Sequence, residues 1–306
     1  MRGEIFYWVF NMSIMAALCC AVILLIRCIR RIPRRVIRLL WLIPLIRMCV
    51  PVGLTGKYGL MTLLSRFATR TVVIFMWERK PIMTMMNLTM WADTYFPITY
   101  RINLLEDVFA VASLVWLVVA AALLLTMGIL YFTTMDALRD AVRLEGNVYI
   151  SDRISAPAVY GILRPRIILP SAYREQEDRL SYVLMHESAH IRRGDNLLRV
   201  IACVLVCVHW FNPMCWVLLK CFLSDMELAC DETVLSHCGE GQRKAYALAL
   251  LSSVEKTNVF ASPFGGAKVR LRVKNILNYR KLSALSVVGF AALVLAIAYV
   301  LLTNAM

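Results

Sequence analysis

The stretch VFAVASLVWLVVAAALLLTMGILYF, residues 108–132, does not contain a single charged side chain. A helix needs about 20 apolar residues to cross the hydrocarbon core of a bilayer, so this stretch predicts a transmembrane helix. Residues 6–26 and 282–302 form two more uncharged runs of similar length. Residues 36–54 form a fourth apolar run, which two arginines interrupt. The sequence therefore predicts an α-helical membrane protein with four transmembrane helices.

The two arginines of the fourth run need different explanations. Arg38 lies near the start of the run, from where its long side chain can reach the membrane interface. Arg47 lies deeper in the run, and we expect it to face protein rather than lipid.

The composition of the whole chain agrees with this class. Of the 306 residues, 60% are hydrophobic, against about 45–50% in soluble domains, and the mean hydropathy is +0.67. The formal net charge is +14. Many basic residues lie beside the apolar runs, namely Arg27, Arg30, Arg31, Arg34, Arg35, Arg270, Arg272, Lys274, Arg280 and Lys281. This placement indicates contact with the lipid bilayer, and no nucleic-acid motif accompanies it, so we expect no direct binding of nucleic acid.

The orientation in the membrane follows from the basic clusters. The basic loop 27–35 is expected on the cytoplasmic side, because loops rich in Arg and Lys stay there. Residues 1–132 then hold three spans with an extracellular loop at 55–106, residues 133–281 form a cytoplasmic domain, and residues 282–302 form the fourth span.

The predicted cytoplasmic domain mixes helices and strands. Residues 133–146 predict a helix, and residues 148–170 predict short strands separated by Gly and Pro turns. Residues 175–193 place apolar side chains at helical spacing. These patterns indicate an α+β domain.

The string His186-Glu187-Ser188-Ala189-His190 lies on the last of these helices. Two imidazoles four residues apart project from one helix face and can hold one Zn²⁺ ion. Glu187 can take a proton from an attacking water and pass it to the leaving amine. The string also occurs by chance on ordinary helices. Its place on a predicted helix in the soluble part favours a zinc site with Glu187 as the catalytic base.

A catalytic zinc ion needs a third protein ligand. Glu227 and Asp231 are four residues apart and share a predicted helix face. Glu227 is our candidate ligand, and Asp231 is our candidate acceptor for the N–H of a ligand imidazole. Two solvated acids on a helix are the ordinary alternative. Asp195 competes for the ligand role but also suits an N-cap, and the other competitors are Asp225, Cys230 and Glu232.

Residues 197–223 are apolar enough to pass for a further span. A single crossing would put Glu227 and His186 on opposite sides of the membrane, which a shared metal ion forbids. We therefore expect an apolar helical hairpin that turns at Asn212–Pro213. His209, beside this turn, is expected to be an interfacial or packed histidine rather than a metal ligand.

Ten cysteines are spread over the chain without a Cys-x-x-Cys pair. Their spacing does not match the disulfide framework of a small secreted domain. We expect them to be reduced and to act as small hydrophobic residues.

At these residues the sequence resembles the BlaR/MecR-type membrane metallopeptidases. The matching strings are HESAHIRRGDN (186–196), HWFNPMCWVL (209–218) and ELACDETVL (227–235), with further likeness at 157–170 and 31–47. The resemblance implies a cytoplasmic α+β gluzincin zinc-protease domain, in which the glutamate at the position of Glu227 is the third zinc ligand.

The resemblance also implies a function. Members of this family lie in the bacterial cytoplasmic membrane and cleave a cytoplasmic protein in transmembrane signalling. The substrate is typically a transcriptional repressor, and many members cleave themselves. The β-lactam receptors of the family carry a penicillin-binding domain after the last span, whereas this sequence ends at residue 306. We therefore expect sensing through the loop 55–106, sensing through a separate extracellular sensor or ligand, or a family relative that responds to a signal other than a β-lactam.

The resemblance also suggests how a substrate would bind. Related proteases bind it as an extended strand, for which residues 158–169 are the candidate partner edge. The candidate donors to the developing oxyanion are Arg192, Arg193 and His237.

Two other functions are compatible with the same motif. The first is a non-enzymatic membrane receptor or scaffold with a structural zinc ion, which would need four protein ligands and would leave Glu187 without a role. The second is a membrane quality-control protease. A homodimer is compatible with each reading.

Overall fold

The structure, a computed structural model, describes residues 2–29, 31–50, 56, 58–60, 62, 83–84, 99–100, 104–175, 177–239, 241–255 and 265–303. Most of the predicted extracellular loop 55–106 lies outside the described residues. The described part is mostly helical.

The helices are α1 (Arg2–Arg27), α2 (Arg34–Leu40), α3 (Leu42–Cys49), α4 (Leu104–Ala137), α5 (Glu177–Arg193), α6 (Asp195–Val208), α7 (Pro213–His237), α8 (Gln242–Glu255), α9 (Gly265–Leu277) and α10 (Ala284–Leu302). The strands are β1 (Met83–Thr84), β2 (Thr99–Tyr100), β3 (Val142–Glu145), β4 (Val148–Ile150), β5 (Ala158–Tyr160) and β6 (Arg166–Leu169).

Within the described residues, three helices are long and apolar enough to cross a membrane: Glu4–Arg27 in α1, Val108–Ala137 in α4, and α10. They coincide with three of the four predicted spans. Most apolar side chains of α4 and α10 are exposed, whereas half of the α1 span is buried inside the protein. Exposed apolar helix surface of this extent fits contact with lipid.

The fourth predicted span, residues 36–54, is not a continuous helix. Trp41 separates α2 from α3. Pro44 explains the break, because it has no N–H for the carbonyl of Leu40 and its ring crowds that carbonyl. Residues 51–55 lie outside the described residues, so the count of four crossings stays a prediction.

The expectation that Arg47 faces protein is confirmed. Arg47 is buried, and its Nε and Nη2 donate to the carbonyls of Leu301 at 3.1 Å and Thr303 at 3.0 Å. Carbonyls at a helix end lack an intrahelical partner, so Arg47 completes the end of α10. The expectation for Arg38 is wrong: its Nη2 lies 2.6 Å from Asp195, because that buried carboxylate requires a cation.

Helices α6 and α7 form a hairpin within the apolar stretch 197–223. The break lies at the predicted Asn212–Pro213: the Asn212 side chain accepts from the backbone N–H of Met214 at 2.9 Å, and Pro213 is the first residue of α7. Both residues favour the start of a helix. The hairpin brings the second half of α7 against α5.

The tip of this hairpin packs between the membrane-spanning segments. Asn212 donates to the carbonyl of Ser13 in α1 at 2.9 Å, and Trp116 of α4 donates to the last carbonyl of α6 at 2.7 Å. His209 is buried there, with its Nε2 3.2 Å from the carbonyl of Met48. His209 is thus a packed histidine, as expected.

The small sheet has the strand order β3-β4-β6-β5, with β4 and β6 parallel and the other pairs antiparallel. The prediction of strands within 148–170 is confirmed. The prediction of a helix at 133–146 is right only as far as Ala137, where α4 ends, because β3 begins at Val142. Gly146, at a φ of 54°, makes the turn into β4, and pairing of β3 with β4 outweighs the local preference for a helix.

Strand β5 forms one edge of the sheet and contacts α5. Strand β6 lies inside the sheet, and its residues Ile167, Ile168 and Leu169 are buried. The predicted edge at 158–169 is therefore right only for β5, since β6 already pairs on both sides.

Helix α7 belongs to two hydrophobic clusters. Leu218, Phe222 and Met226 pack with α1, α2, α3 and α6. One turn later, Cys230 and Leu235 pack with α5, α8 and α9. Helix α7 therefore joins the membrane-spanning helices to the part that contains the candidate site.

Candidate metal centre

Helix α5 carries the His-Glu-x-x-His string in a buried position. His186, Glu187 and His190 are all less than a tenth exposed. The helix is followed by Gly194, which has a φ of 64°. Glycine adopts this left-handed conformation without steric cost, and α6 can therefore begin at the next residue, Asp195.

Three of the predicted ligands converge. The Nε2 atoms of His186 and His190 are 3.2 Å apart. Glu227 of α7 brings one carboxylate oxygen to 3.5 Å from His186 Nε2 and the other to 3.6 Å from His190 Nε2. These residues are distant in sequence, and the packing of α5 against α7 unites them.

The donor atoms fit a zinc ion. Tetrahedral coordination with bonds of about 2.0–2.1 Å to nitrogen and oxygen requires donor separations of about 3.3 Å. The two Nε2 atoms are 3.2 Å apart, and the two different oxygens of Glu227 lie 3.5 and 3.6 Å from them, which is close to that value. Two imidazoles with one carboxylate are also a donor set that zinc prefers.

The far nitrogen of each imidazole is held by another side chain. His190 Nδ1 lies 2.7 Å from Asp195, and His186 Nδ1 lies 2.9 Å from the hydroxyl of Tyr246. Tyr246 in turn donates to Asp231 at 2.7 Å. Partners of this kind fix the tautomer and the orientation of a ligand imidazole.

Asp231 and Asp195 differ from their expected positions. Asp231 lies 3.4 Å from His186 Nδ1, so it acts on that ring mainly through Tyr246. Asp195 is not an N-cap, because Gly194 occupies that position. Its buried carboxylate contacts His190 instead. Tyr246, which lies on α8 after the motif region, could not be predicted from the sequence.

Arg272 of α9 is, after Tyr246, a second residue of the site that the sequence analysis did not predict. It was assigned there to a basic cluster beside the membrane. It donates to both oxygens of Asp231 at 2.8 Å. Its Nη2 also lies 3.3 Å from His186 Nε2, and its Nη1 lies 3.7 Å from Glu227. A guanidinium thus stands beside the three converging donors.

The anionic groups favour positive charge at the two imidazoles. Burial lowers the pKa of His186, but its interactions with Cys230 and Glu227 outweigh burial and raise that pKa to about 10. Burial raises the pKa of Glu227, yet contacts with both imidazoles hold it well below its ordinary value. Positive charge is therefore favoured at this site.

Cys230 is an alternative third donor. The ligand atoms of His186, His190 and Cys230 lie within 4.8 Å of one another. Cys230 is completely buried, however, and its Sγ donates to the carbonyl of His186 at 3.3 Å. Glu227 lines the open cavity, whereas Cys230 does not, and its two oxygens lie 3.5 and 3.6 Å from the Nε2 atoms, so the geometry favours Glu227.

The converging donors open into a cavity of about 240 Å³. Glu187 lines it, next to the imidazoles. Ala158 and Val159 of the edge strand β5 also line the cavity, and Arg199 and Arg272 supply positive charge. The arrangement offers a base, cations and a free strand edge around one space.

The remaining candidates lie elsewhere. Arg192, Arg193 and His237 are not among the residues that line the cavity; Arg193 pairs with Asp195 at 3.2 Å, and His237 contacts its own helix at the carbonyl of Thr233. Two other candidates face the basic segment after α1, namely Asp225 and Glu232. All ten cysteines are free, as expected.

Comparison with known proteins also indicates a peptidase. A family model described as BlaR1 peptidase M56 matches residues 7–280. The regulatory protein BlaR1 of Bacillus licheniformis is 31% identical over 157 residues, which cover 48% of this chain and 26% of that protein. The methicillin resistance mecR1 protein of Staphylococcus aureus is 27% identical over 138 residues, 42% of this chain and 24% of that protein. The chain thus spans about a quarter of the length of these relatives.

Proposed function

Because the chain belongs to the BlaR1 peptidase M56 family of metallopeptidases, we propose that it is a membrane-embedded zinc endopeptidase that cleaves a cytoplasmic protein in transmembrane signalling. The observation that carries this proposal is the convergence of His186, His190 and Glu227 on one point of a cavity that Glu187 also lines. A structural zinc site is closed by four protein ligands, whereas this cavity leaves room for a substrate.

Each residue of the site has a separate role in the proposed peptide hydrolysis. His186, His190 and Glu227 hold the zinc ion, which when bound polarises a carbonyl group and acidifies water. Glu187 removes the proton from the attacking water and delivers it to the leaving amine. Arg272, held by Asp231, is placed to stabilise negative charge that develops on the carbonyl oxygen.

The substrate binds as an extended segment along β5. An edge strand offers unpaired N–H and C=O groups, and backbone pairing orients a peptide without demanding a particular sequence. Ala158 and Val159 bring that edge to the cavity. The resemblance to BlaR/MecR-type proteins favours a transcriptional repressor as the substrate, with self-cleavage as a further reaction.

The proposal is tested by Glu187→Gln, which keeps the shape of the side chain and removes the base. Loss of a general base typically lowers the rate by about 10²–10⁴-fold. We expect the new protein N-termini that appear in cells producing the wild type to disappear with the variant. Mass spectrometry of N-terminal peptides makes the comparison and identifies the substrate.

Two controls accompany this experiment. The purified Glu187→Gln protein should retain one zinc ion per chain, because Glu187 is not a ligand. Glu145→Gln makes the same chemical change on the exposed strand β3 and should leave cleavage unaltered. Unchanged cleavage by Glu187→Gln would end the proposal, and a quality-control role would appear as many unrelated substrates instead of a regulator.

A further inference from the structure

A second cavity lies apart from the metal centre, where α1 ends and α10 begins. Its volume is about 720 Å³, and its wall is formed by the segment Arg31–Arg35, by Leu228 and Glu232 of α7, by the second half of α9 and by the residues that lead to α10. Because α1 and α10 are membrane-span candidates, the residues directly outside their ends lie at the level of the lipid headgroups.

The charge of this cavity is strongly positive. Five cationic side chains line it against the single carboxylate of Glu232; they are Arg31, Arg34, Arg35, Lys274 and Arg280. Glu232 is already engaged, since its two oxygens accept from the backbone N–H groups of Arg34 and Arg35 at 3.0 and 3.1 Å.

Two of the five cations have protein partners. Arg34 lies 3.3 Å from Asp225, and Arg35 lies 3.8 Å from Glu232. The Nε atom of Arg35 is nevertheless shielded from solvent and lacks a hydrogen-bond acceptor. Within the described residues, Arg31, Lys274 and Arg280 make no ion pair. The cavity therefore holds several donors that an anion would satisfy.

Apolar groups complete the wall. Ile32, Leu271 and Leu282 line the same cavity, and Leu282 precedes the N-cap of α10, Ser283. A ligand that fits has an anionic head and an apolar body beside it. Basic pockets between transmembrane segments bind the phosphate groups of anionic lipids.

We propose that this cavity binds the phosphate headgroup of an anionic phospholipid, held by Arg31, Lys274 and Arg280, with the acyl chains running along α10. The site also concerns the metal centre, because Lys274 and Arg272 lie on the same short helix α9. A bound headgroup would hold α9 against α2. It would thereby restrict the movement of the Arg272 guanidinium beside His186.

The test uses the full chain purified in neutral detergent and native mass spectrometry. The protein is titrated with phosphatidylglycerol and, separately, with phosphatidylcholine of the same chain length. The wild type should bind one phosphatidylglycerol at least about tenfold more tightly. Each removed charge should weaken that binding by about fivefold, so Arg31→Gln, Lys274→Gln and Arg280→Gln together should abolish the preference.

A matched control removes three charges outside the cavity: Arg143→Gln, Arg164→Gln and Lys244→Gln, all at exposed positions. It should keep the wild-type preference. The single variant Lys274→Gln, at an exposed position, replaces the triple variant if that protein does not fold. Equal binding of the two lipids by the wild type, or an equal loss in the control, would overturn the proposal.

A third arm separates the lipid from a soluble anion. Inorganic phosphate should not displace the lipid at equal concentration, because it lacks the acyl contacts with α10. Displacement at equal concentration, with the same dependence on the three basic residues, would assign the cavity to a soluble phosphate and overturn the lipid assignment. None of these measurements depends on proteolysis, so the result is independent of the proposed enzymatic function.

Discussion

The two histidines of α5 are oriented by unlike partners. His190 is fixed by the carboxylate of Asp195, which also forms an ion pair with Arg38 at 2.6 Å. His186 is fixed by a neutral phenol, Tyr246. The His-Glu-x-x-His string was predictable because its geometry is contained within one helix turn. Tyr246 was not, because only the packing of α8 against α5 brings it to the site.

The contact between Asp195 and His190 predicts a role in metal affinity. Asp195→Asn keeps the size of the side chain but removes the charge that orients the imidazole. We expect the zinc affinity to fall by about 10–100-fold, as measured by competition with a chromophoric chelator. Asp136→Asn makes the same chemical change at an exposed carboxylate that pairs with Arg139 and does not touch a histidine, so it should leave the affinity near that of the wild type. Equal affinities for wild type and Asp195→Asn would contradict this role.

Among the elements, the basic segment after α1 and the helix α2 dock on α7. Asp225 of α7 accepts from Arg27 at 2.7 Å, and Trp41 donates to it at 2.9 Å. Glu232 accepts from the first backbone N–H groups of α2, where a carboxylate is favoured. The sequence indicated lipid contact for these arginines, because nothing local reveals that α7 brings carboxylates to them.

Removing the charge of Asp225 should destabilise this docking. Loss of one partner of a buried ion pair costs about 3–5 kcal/mol, since Arg27 and Arg34 would lose their buried partner. Asp225→Asn should therefore lower the free energy of unfolding by that amount, measured by denaturant titration in detergent. Asp136→Asn breaks the exposed pair with Arg139 and should cost about 0–1 kcal/mol. Similar losses in both variants would refute the explanation.

At the scale of the whole molecule, the membrane-spanning helices in the uncharged runs could be predicted from the sequence, because hydrophobicity is a local property. The path of residues 36–54 was not, because Pro44 breaks the helix between α2 and α3. The hairpin α6–α7 was predictable only through the requirement that Glu227 meet His186. Helix α7 contributes side chains to both hydrophobic clusters and so connects the membrane-spanning helices with the candidate site.

The proposed orientation predicts different locations for two loops. Alkaline phosphatase folds only outside the cytoplasm, so a fusion after Tyr58 should be active and a fusion after Asp140 should be inactive. This result requires that the segment 31–50, although broken, completes a crossing together with the residues that follow it. Equal activity of the two fusions would show that the two loops share one side of the membrane.

The identity of the atoms around the metal tests the central claim most directly. X-ray absorption at the zinc edge of the purified full chain should show one zinc ion with nitrogen and oxygen neighbours alone at about 2.0–2.1 Å. Two of these should be imidazoles, and the imidazole signal should fall in His190→Ala. A sulfur neighbour at about 2.3 Å would place Cys230 on the metal instead of Glu227 and contradict the account.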